Sequence, residues 1–361
     1  MNDDYFDTIL AMEQRRELSH EWVSVFGKVP RRLFVPDTVW VGDEVEGFER
    51  TDRREDPERW ANLVDADTPL VTQLSPDGAP TSSSSMPLVV AEMFNHLDVI
   101  PGQRALNLGT GTGWTAGLLA QYLGSDNVVT VEVDQDVARQ ADDLLKAARL
   151  HPLSVVGDAA AGYPQGAPFQ RTLATFAVRD VPFVWVQQTD GVIVTPWGNG
   201  MSNNALLRLE SDGRVAVGPV VDTASFMWMR AQTPRPRIYG EDGAVTDLDM
   251  DPREVFADSD RLFAIGLRVP GCRYSVGWGE GDQAQECTLW LSDGAGSWAR
   301  AEYAPGATPW AVQAGPRQLW DEVRAAFEWW QHMGSPRLKQ FGLTVTADGQ
   351  SAWVGDPGNL I

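Results

Sequence analysis

Three glycines within five residues carry the plainest chemistry in this 361-residue chain: Leu108-Gly109-Thr110-Gly111-Thr112-Gly113-Trp114. Glycines let a backbone turn sharply and approach a ligand with no Cβ in the way. The apolar run RALNLG (104–109) precedes the loop and the helical run TAGLLAQYL (115–123) follows it, so free N–H groups of a helix start would face a ligand. A second β-branched run, NVVTVEVD (127–134), delivers Glu132 nineteen residues after Gly113, with Val133 next to it. An acid at the end of the second strand is placed to accept hydrogen bonds from ribose hydroxyls. LSVVGD (153–158) ends in Gly157-Asp158, followed by Ala159. An acid there can meet an adenine amine or simply cap a turn. Dinucleotide loops follow G-x-G-x-x-G. Here the third glycine comes one residue early and Trp114 stands where that fingerprint wants glycine, so the spacing suits S-adenosyl-L-methionine better than NAD.

Two further features bear on chemistry. TQLSPDGAPTSSSSMP (72–87) has the composition of a flexible linker. Ser84 and Ser85 nevertheless stand just ahead of Pro87 and a helix signal at Leu88 to Leu97, where a hydroxyl could orient a substrate. Arg179 is either a solvated loop charge or a clamp on a peptide carboxylate. No Ser-His-Asp or Cys-His arrangement is evident. The four His are scattered without ligand spacing and the two Cys make neither a disulfide framework nor a Cys-rich zinc site, so no metal is expected. A carboxylate, with a reference pKa of about 3.9, is already ionised at neutral pH and can act as a nucleophile without a general base.

The elements that must position these residues alternate. Strands are predicted at 104–109, 127–134, 153–158, 171–178 and 191–198, with helices at 115–123 and 137–150, which implies a doubly wound, mostly parallel α/β sheet. Ahead of them an amphipathic helix is predicted over 5–27, with Phe6, Ile9, Leu10, Leu18, Trp22, Val25 and Phe26 apolar, then a turn in KVPRRLFVP and a charged loop over 42–60. From about 206 the text turns β-rich. LLRLESDGRVAVGPVV reads as a hairpin on Ser-Asp-Gly, FMWMRAQ, RLFAIGLRV and CTLWLSD as strands, and FGLTVTADGQSAWV as a hairpin on Ala-Asp-Gly. One helix, 317–333, interrupts them with Leu319, Val323, Phe327 and Trp330 on one face. Trp329 and Trp330 are expected in a core. The pattern divides the chain into a catalytic domain, 1–231, and a mostly β accessory domain, 232–361.

Composition narrows the partners. A net charge of −21 opposes nucleic-acid binding. No apolar run of membrane-spanning length occurs, and MNDDYFDTILAMEQRREL lacks the apolar core of a signal peptide, so a cytoplasmic protein is expected.

Taken in order, VPRRLFVP (29–36), SSSSMPLVVAEM (82–93), LNLGTGTGWTAGLLA (106–120), VEVDQDVARQA (131–141), GDAAAGYPQGAPF (157–169) and GVIVTPWGN (191–199) resemble protein L-isoaspartyl O-methyltransferases over roughly residues 5–231. The resemblance implies a Rossmann-like class I methyltransferase fold and methyl transfer from S-adenosyl-L-methionine to an aspartyl or isoaspartyl carboxylate, leaving S-adenosyl-L-homocysteine. It places the cofactor on Gly109, Thr110, Gly111, Gly113, Trp114, Glu132, Val133, Gly157, Asp158 and Ala159, and the active-site serine on Ser85 beside Ser84. The chain departs from the family pattern at Gln170, in the Ser run before Ser85 and at Arg179. About 130 residues follow the matching region. This long form is similar to the methyltransferases of ribosomal peptide pathways, lanthipeptide and ATP-grasp-cyclised. Those methylate one Asp of a constrained precursor peptide, and the ester closes to an aspartimide. The expected partner is therefore a peptide, either such a precursor or an isoaspartyl protein.

Overall fold

The computed structural model describes residues 3–15, 17–43 and 47–361. The predicted N-terminal helix is two helices, α1 (Asp3–Gln14) and α2 (His20–Lys28). Between them Leu18 turns inward to 2% exposure, and its N–H bonds back to Met12 O. Arg16 and the side chain of Phe6 lie outside the described residues. Trp22 of α2 is stacked on Phe94 and Tyr122, with ring centres 4.3 and 4.6 Å away, which ties this end to the body of the protein.

The charged stretch 42–60 is not a loop. Strands β1 (Thr38–Asp43) and β2 (Gly47–Asp52) pair antiparallel, and α3 (Pro57–Asp65) follows with Asp56 accepting from Arg59 N at its start. Residues 44–46 lie outside the described residues. Most of β2 faces water on both sides, so it lacks the apolar alternation that marks a strand. The Ser run is not a linker either. β3 (Leu70–Leu74) and β4 (Pro80–Ser84) form a hairpin whose turn closes through Ser75 N to Ala79 O, 2.8 Å, with Gly78 at φ +87°. The four strands make one sheet in the order β2-β1-β3-β4. Helix α4 (Pro87–Leu97) then leads to the central sheet.

There the alternation holds. β5 (Ala105–Leu108), β6 (Val128–Glu132), β7 (Leu153–Val156), β8 (Phe169–Ala174) and β9 (Thr189–Trp197) are parallel in the order β9-β8-β5-β6-β7. They are linked by α5 (Trp114–Leu123), α6 (Gln135–Ala147) and α7 (Phe183–Gln188). β10 (Ala205–Asp212) and β11 (Ala216–Thr223) extend the sheet as the predicted hairpin. FMWMRAQ is not a regular strand: it contributes one parallel bridge, Trp228 to Ala177, and a turn at Arg230–Gln232.

Beyond it, β12 (Ala244–Asp247), β13 (Arg273–Trp278), β14 (Cys287–Ser292), β15 (Trp298–Tyr303) and β16 (Trp310–Ala314) form an antiparallel sheet in the order β12-β16-β15-β14-β13. RLFAIGLRV is helical, not a strand. After a short α8 (Arg253–Phe256), α9 (Ser259–Arg268) starts on Asp258, which accepts from Asp260 N and Arg261 N. A short apolar run fits a buried helix as well as a buried strand, and here the cap decides. α10 (Leu319–His332) packs on α9 and on this sheet. Trp330 is buried, its N–H donating to Pro336 O at 3.0 Å; Trp329 is half-buried under the Arg268 guanidinium.

The last hairpin, β17 (Phe341–Thr346) and β18 (Gly349–Val354), does not stay with the strands that precede it in sequence. β17 pairs with β11, so the central sheet has nine strands, β18-β17-β11-β10-β9-β8-β5-β6-β7. One apolar cluster runs from Leu106 and Val131 through Trp197 to Phe263, Leu289, Phe327 and Phe341, across the expected boundary at 231/232. Among the described residues no helix is long and apolar enough to cross a membrane.

Candidate active site

The carboxyl ends of β5, β6 and β8 open on a cavity of about 240 Å³. In an open α/β sheet this is where ligands bind. The loop after β5 forms its floor. Gly109 N and Thr110 N donate to Val131 O at 2.9 and 3.2 Å, which pins the loop to the neighbouring strand. Gly109 sits at φ +87°, and a Cβ there would lie 2.8 Å from Thr175 Oγ1 and 2.9 Å from Phe176 Cδ1. Gly111, at φ +53°, aims its N–H at Glu132 Oε2, 3.0 Å away. A side chain on Gly109 would fill the cradle, so the loop fits a ligand that needs close backbone approach.

Glu132 closes the second wall. It is 9% exposed, and its other oxygen accepts from Asp134 N at 3.1 Å. A carboxylate has about four acceptor sites, so two remain to meet hydroxyls of a ligand. Val133, on the rim, is exposed. Asp158 also lines the cavity, and one of its oxygens caps the turn at Ala159–Ala161 through Ala160 N at 2.8 Å. The two roles left open by the sequence are therefore compatible in one residue.

Ten of the sequence-derived residues line this one cavity: Gly109, Thr110, Gly111, Trp114, Glu132, Val133, Asp158, Ala159, Ser84 and Ser85. Trp114 contributes the start of α5, while its indole is 2% exposed and donates to Val29 O at 2.9 Å. Three residues fall outside. Gly113 packs α5 on α6, where a Cβ would lie 3.2 Å from that of Ala141. Gly157 N bonds to Glu132 O at 2.8 Å and holds β7 beside β6. Arg179 is not among the lining residues. Its guanidinium is half exposed and paired with Asp180, and its backbone is held by Gln232 and Gln350.

The two serines part company. Ser84 is 2% exposed; its hydroxyl and its carbonyl accept from the Arg31 guanidinium at 3.0 and 2.8 Å. Ser85 is half-buried at the cavity wall, and among the described residues its hydroxyl has no hydrogen-bond partner. Arg31 is thus the residue that fixes the Ser run, and it is wholly buried, with three further bonds to Val64, Ala66 and Thr68 carbonyls.

The sequence pattern missed the cavity's remaining wall, Met227–Ala231, together with Thr175 and Phe176. That wall is placed by long-range pairing: Ala177 N donates to Met227 O and Met229 N to Ala177 O, each at 2.8 Å. It brings Arg230 to the rim opposite Asp134, 3.3 Å away, and Gln73 of β3 reaches the same oxygen at 3.4 Å. Partial burial opposes ionisation of Asp134. The bonds from Val137 N, Arg230, Gln73 and Asp136 N outweigh it and hold its carboxyl below the usual range.

No His, Cys, Lys or Tyr lines the cavity. It contains no nucleophile and base pair for acyl chemistry. Among the described residues no group of three His, Cys, Asp or Glu is placed to hold a metal. The arrangement suits binding two molecules, one along the glycine loop, Glu132 and Asp158, the other against the serines.

The family model for Protein-L-isoaspartate(D-aspartate) O-methyltransferase matches residues 39–226. Protein-L-isoaspartate O-methyltransferase 2 of Archaeoglobus fulgidus is 30% identical over 208 residues, 56% of this chain and 83% of its own. Protein-L-isoaspartate O-methyltransferase 1 of the same organism is 32% identical over 204 residues, 55% and 82% of the two chains. The fold likeness reaches further. A solved protein-L-isoaspartate O-methyltransferase superposes on 99% of this chain and 100% of its own, with a TM-score of 0.57 at 17% identity.

Proposed function

The chain belongs to the protein-L-isoaspartate(D-aspartate) O-methyltransferase family, and on that premise we propose that it methylates the side-chain carboxylate of one Asp in a constrained, ribosomally made peptide. The coarser activity is a property of the family: S-adenosyl-L-methionine-dependent carboxyl O-methylation. When bound, the cofactor supplies an electrophilic methyl group and leaves as S-adenosyl-L-homocysteine.

In this reading Gly109, Thr110 and Gly111 accommodate the cofactor against bare backbone, Glu132 accepts its ribose hydroxyls, and Asp158 with Val133 borders its adenine. Ser85 meets the substrate. Its hydroxyl is free to donate one hydrogen bond to a carboxylate oxygen and so to aim the other. One neutral donor is appropriate, because the carboxylate loses its charge as the ester forms. A strong cationic clamp on the reacting group would favour the ground state over the transition state. The exposed, Asp180-paired position of Arg179 gives no support to the clamp role. The rest of the work is positioning and exclusion of water.

The observation that supports the peptide assignment is the continuity of the wall Met227–Ala231 with the C-terminal region, which puts the start of residues 232 onward at the cavity rim. Length alone does not separate a dedicated enzyme from a repair enzyme, since the solved isoaspartate methyltransferase matches nearly the whole chain in fold. Kinship with the protein-L-isoaspartate O-methyltransferases of Archaeoglobus fulgidus favours a second reading, methylation of isoaspartyl residues in damaged proteins. The proposed compartment is the cytoplasm, where precursor peptides are translated.

Mass spectrometry after incubation with S-adenosyl-L-methionine distinguishes the two. A cyclised precursor peptide is expected to gain one methyl ester or lose one water as the ester closes to aspartimide, while a generic linear isoaspartyl peptide reacts poorly. Efficient methylation of the linear peptide would replace the proposal with the repair reading. Ser85→Ala is expected to lower kcat by about 10- to 100-fold, the loss of one positioned hydrogen bond to a charged oxygen, about 1.5–3 kcal/mol. Steady-state kinetics at saturating cofactor measures this, and an unchanged kcat removes Ser85 from the chemistry.

A further inference from the structure

Acidic residues are spread through this chain, 50 in 361, yet none occurs between Asp222 and Glu241. The segment between them, TASFMWMRAQTPRPRIYG, contains Arg230, Arg235 and Arg237 and no other charge. Its first part is the cavity wall that ends with Arg230 and Ala231. Its second part, Thr233 to Tyr239, has no regular secondary structure and runs across the surface, with Arg235, Pro236, Arg237, Ile238 and Tyr239 exposed.

A second acid-free stretch lies alongside. Residues 261–279 contain no Asp or Glu, and β13 falls within them. Arg237 Nη1 donates to Tyr274 O at 2.7 Å, Arg273 Nη1 to Arg235 O at 2.9 Å, and the Tyr239 and Ser275 hydroxyls meet at 3.0 Å. The bond to backbone orients the Arg237 guanidinium without neutralising it. Among the described residues neither Arg235 nor Arg237 forms an ion pair with a carboxylate. Asp293, beside the Gly294 that packs on Arg235, is turned inward, with its carboxylate taken by Ala295 N and Ser297 N. An apolar patch closes the strip: Ile238 is 51% exposed, and the Tyr239 ring lies 4.9 Å from that of Trp290.

A protein with a net charge of −21 repels acidic chains in general. Beyond the Arg230–Asp134 pair at the cavity rim, the exposed Arg235 and Arg237 form a local cationic strip where an acidic chain is tolerated and held. We infer that the segment Arg235–Tyr239 is the docking track for an acidic stretch of the peptide substrate flanking the methylated residue. The inference rests on the peptide-methylating reading above. Seven residues separate Arg230 from Arg237, at most about 25 Å of extended chain. The acids recognised thus lie within about seven positions of the residue in the cavity. Exposed charges give specificity and association rate more than tight binding, and salt screens them.

The test uses the full chain and two synthetic side-chain-cyclised Asp peptides that differ only in having three Glu or three Gln within about seven positions of the methylatable Asp. The Glu peptide is expected to show a KM about tenfold lower at low salt, the sum of several exposed pairs. The double variant R235Q/R237Q is expected to lose that preference with kcat and the KM of the Gln peptide unchanged, and about 0.5 M salt to mimic it. A preference that survives in the double variant overturns the proposal. So does an equal loss for both peptides. Fluorescence anisotropy of a labelled Glu peptide separates this from the functional reading. If neither peptide is methylated but the wild type binds the Glu peptide more tightly than the variant does, the track stands and the methylation reading falls. Equal binding by both proteins sinks the track.

Discussion

Replacing Arg31 with methionine is expected to lower the free energy of unfolding by about 3–5 kcal/mol, as large an effect as any single surface or loop change here. The side chain is completely buried. Its guanidinium bonds to Ser84 Oγ, Ser84 O, Thr68 O, Ala66 O and Val64 O, at 3.0, 2.8, 2.9, 3.3 and 3.4 Å. Methionine occupies similar length but donates nothing, so several buried carbonyls lose their partner at about 1–3 kcal/mol each, not additively. Lysine is a poor rescue, since a point charge cannot match five acceptors arranged for a planar fork. The consequence reaches function because one guanidinium clamps both the end of α3 and the last residue of β4, next to Ser85. Urea denaturation gives the stability change. At a temperature where the variant is folded, kcat and peptide KM are expected to worsen at least tenfold while cofactor affinity stays within about threefold, because the glycine loop and Glu132 lie on other elements. An unfolding change below about 1 kcal/mol shows that the surrounding carbonyls find water instead.

Arg31 also marks how far local sequence can carry a reading. In KVPRRLFVP two adjacent arginines look alike, and nothing nearby tells which is buried. Arg31 points into the fold, whereas Arg32 pairs with Asp65 at its edge. The partners that decide the matter are 33 to 53 residues away. The glycine loop is the opposite case. A strand, three glycines with positive φ and a helix start are all encoded within ten residues, and so Gly109, Gly111 and Glu132 are legible. The parallel strands are legible for the same reason, since each is a short apolar run between punctuating residues. What the pattern conceals is settled at long range. β2 is wet on both faces, α9 hides in an apolar run that could be a strand, and β17 joins a strand more than a hundred residues earlier. Met227–Ala231 becomes a cavity wall only because Ala177 receives it, so Arg230 is not legible in the sequence, while Arg179, in a loop of more suggestive text, lies outside the cavity lining.

Glu132→Gln is expected to weaken cofactor binding about 100-fold. The native carboxylate accepts from Gly111 N and Asp134 N, one on each oxygen, and keeps acceptor sites toward the cavity. An amide of the same shape has one oxygen and one NH2. If the oxygen stays on Gly111 N, the NH2 faces Asp134 N, donor against donor. If it turns, the glycine loop loses its anchor. Either way the ribose hydroxyls lose a charged acceptor. Charge-assisted hydrogen bonds contribute about 1.5–3 kcal/mol each, and about 1.4 kcal/mol is tenfold in Kd, so losing about one of them gives the stated factor. Isothermal titration with S-adenosyl-L-homocysteine measures it directly and separately from turnover. On the proposed reading Glu132 borders the cofactor, so at saturating cofactor kcat is expected to stay within a few-fold of wild type, with the defect confined to cofactor Kd and KM. A Kd within threefold of wild type would mean the carboxylate serves only to pin Gly111, and that ribose recognition lies elsewhere in the loop. A large fall in kcat at saturation would instead mean that the tilt of the cofactor, set by Glu132, is what lines its methyl group up with a carboxylate beside Ser85.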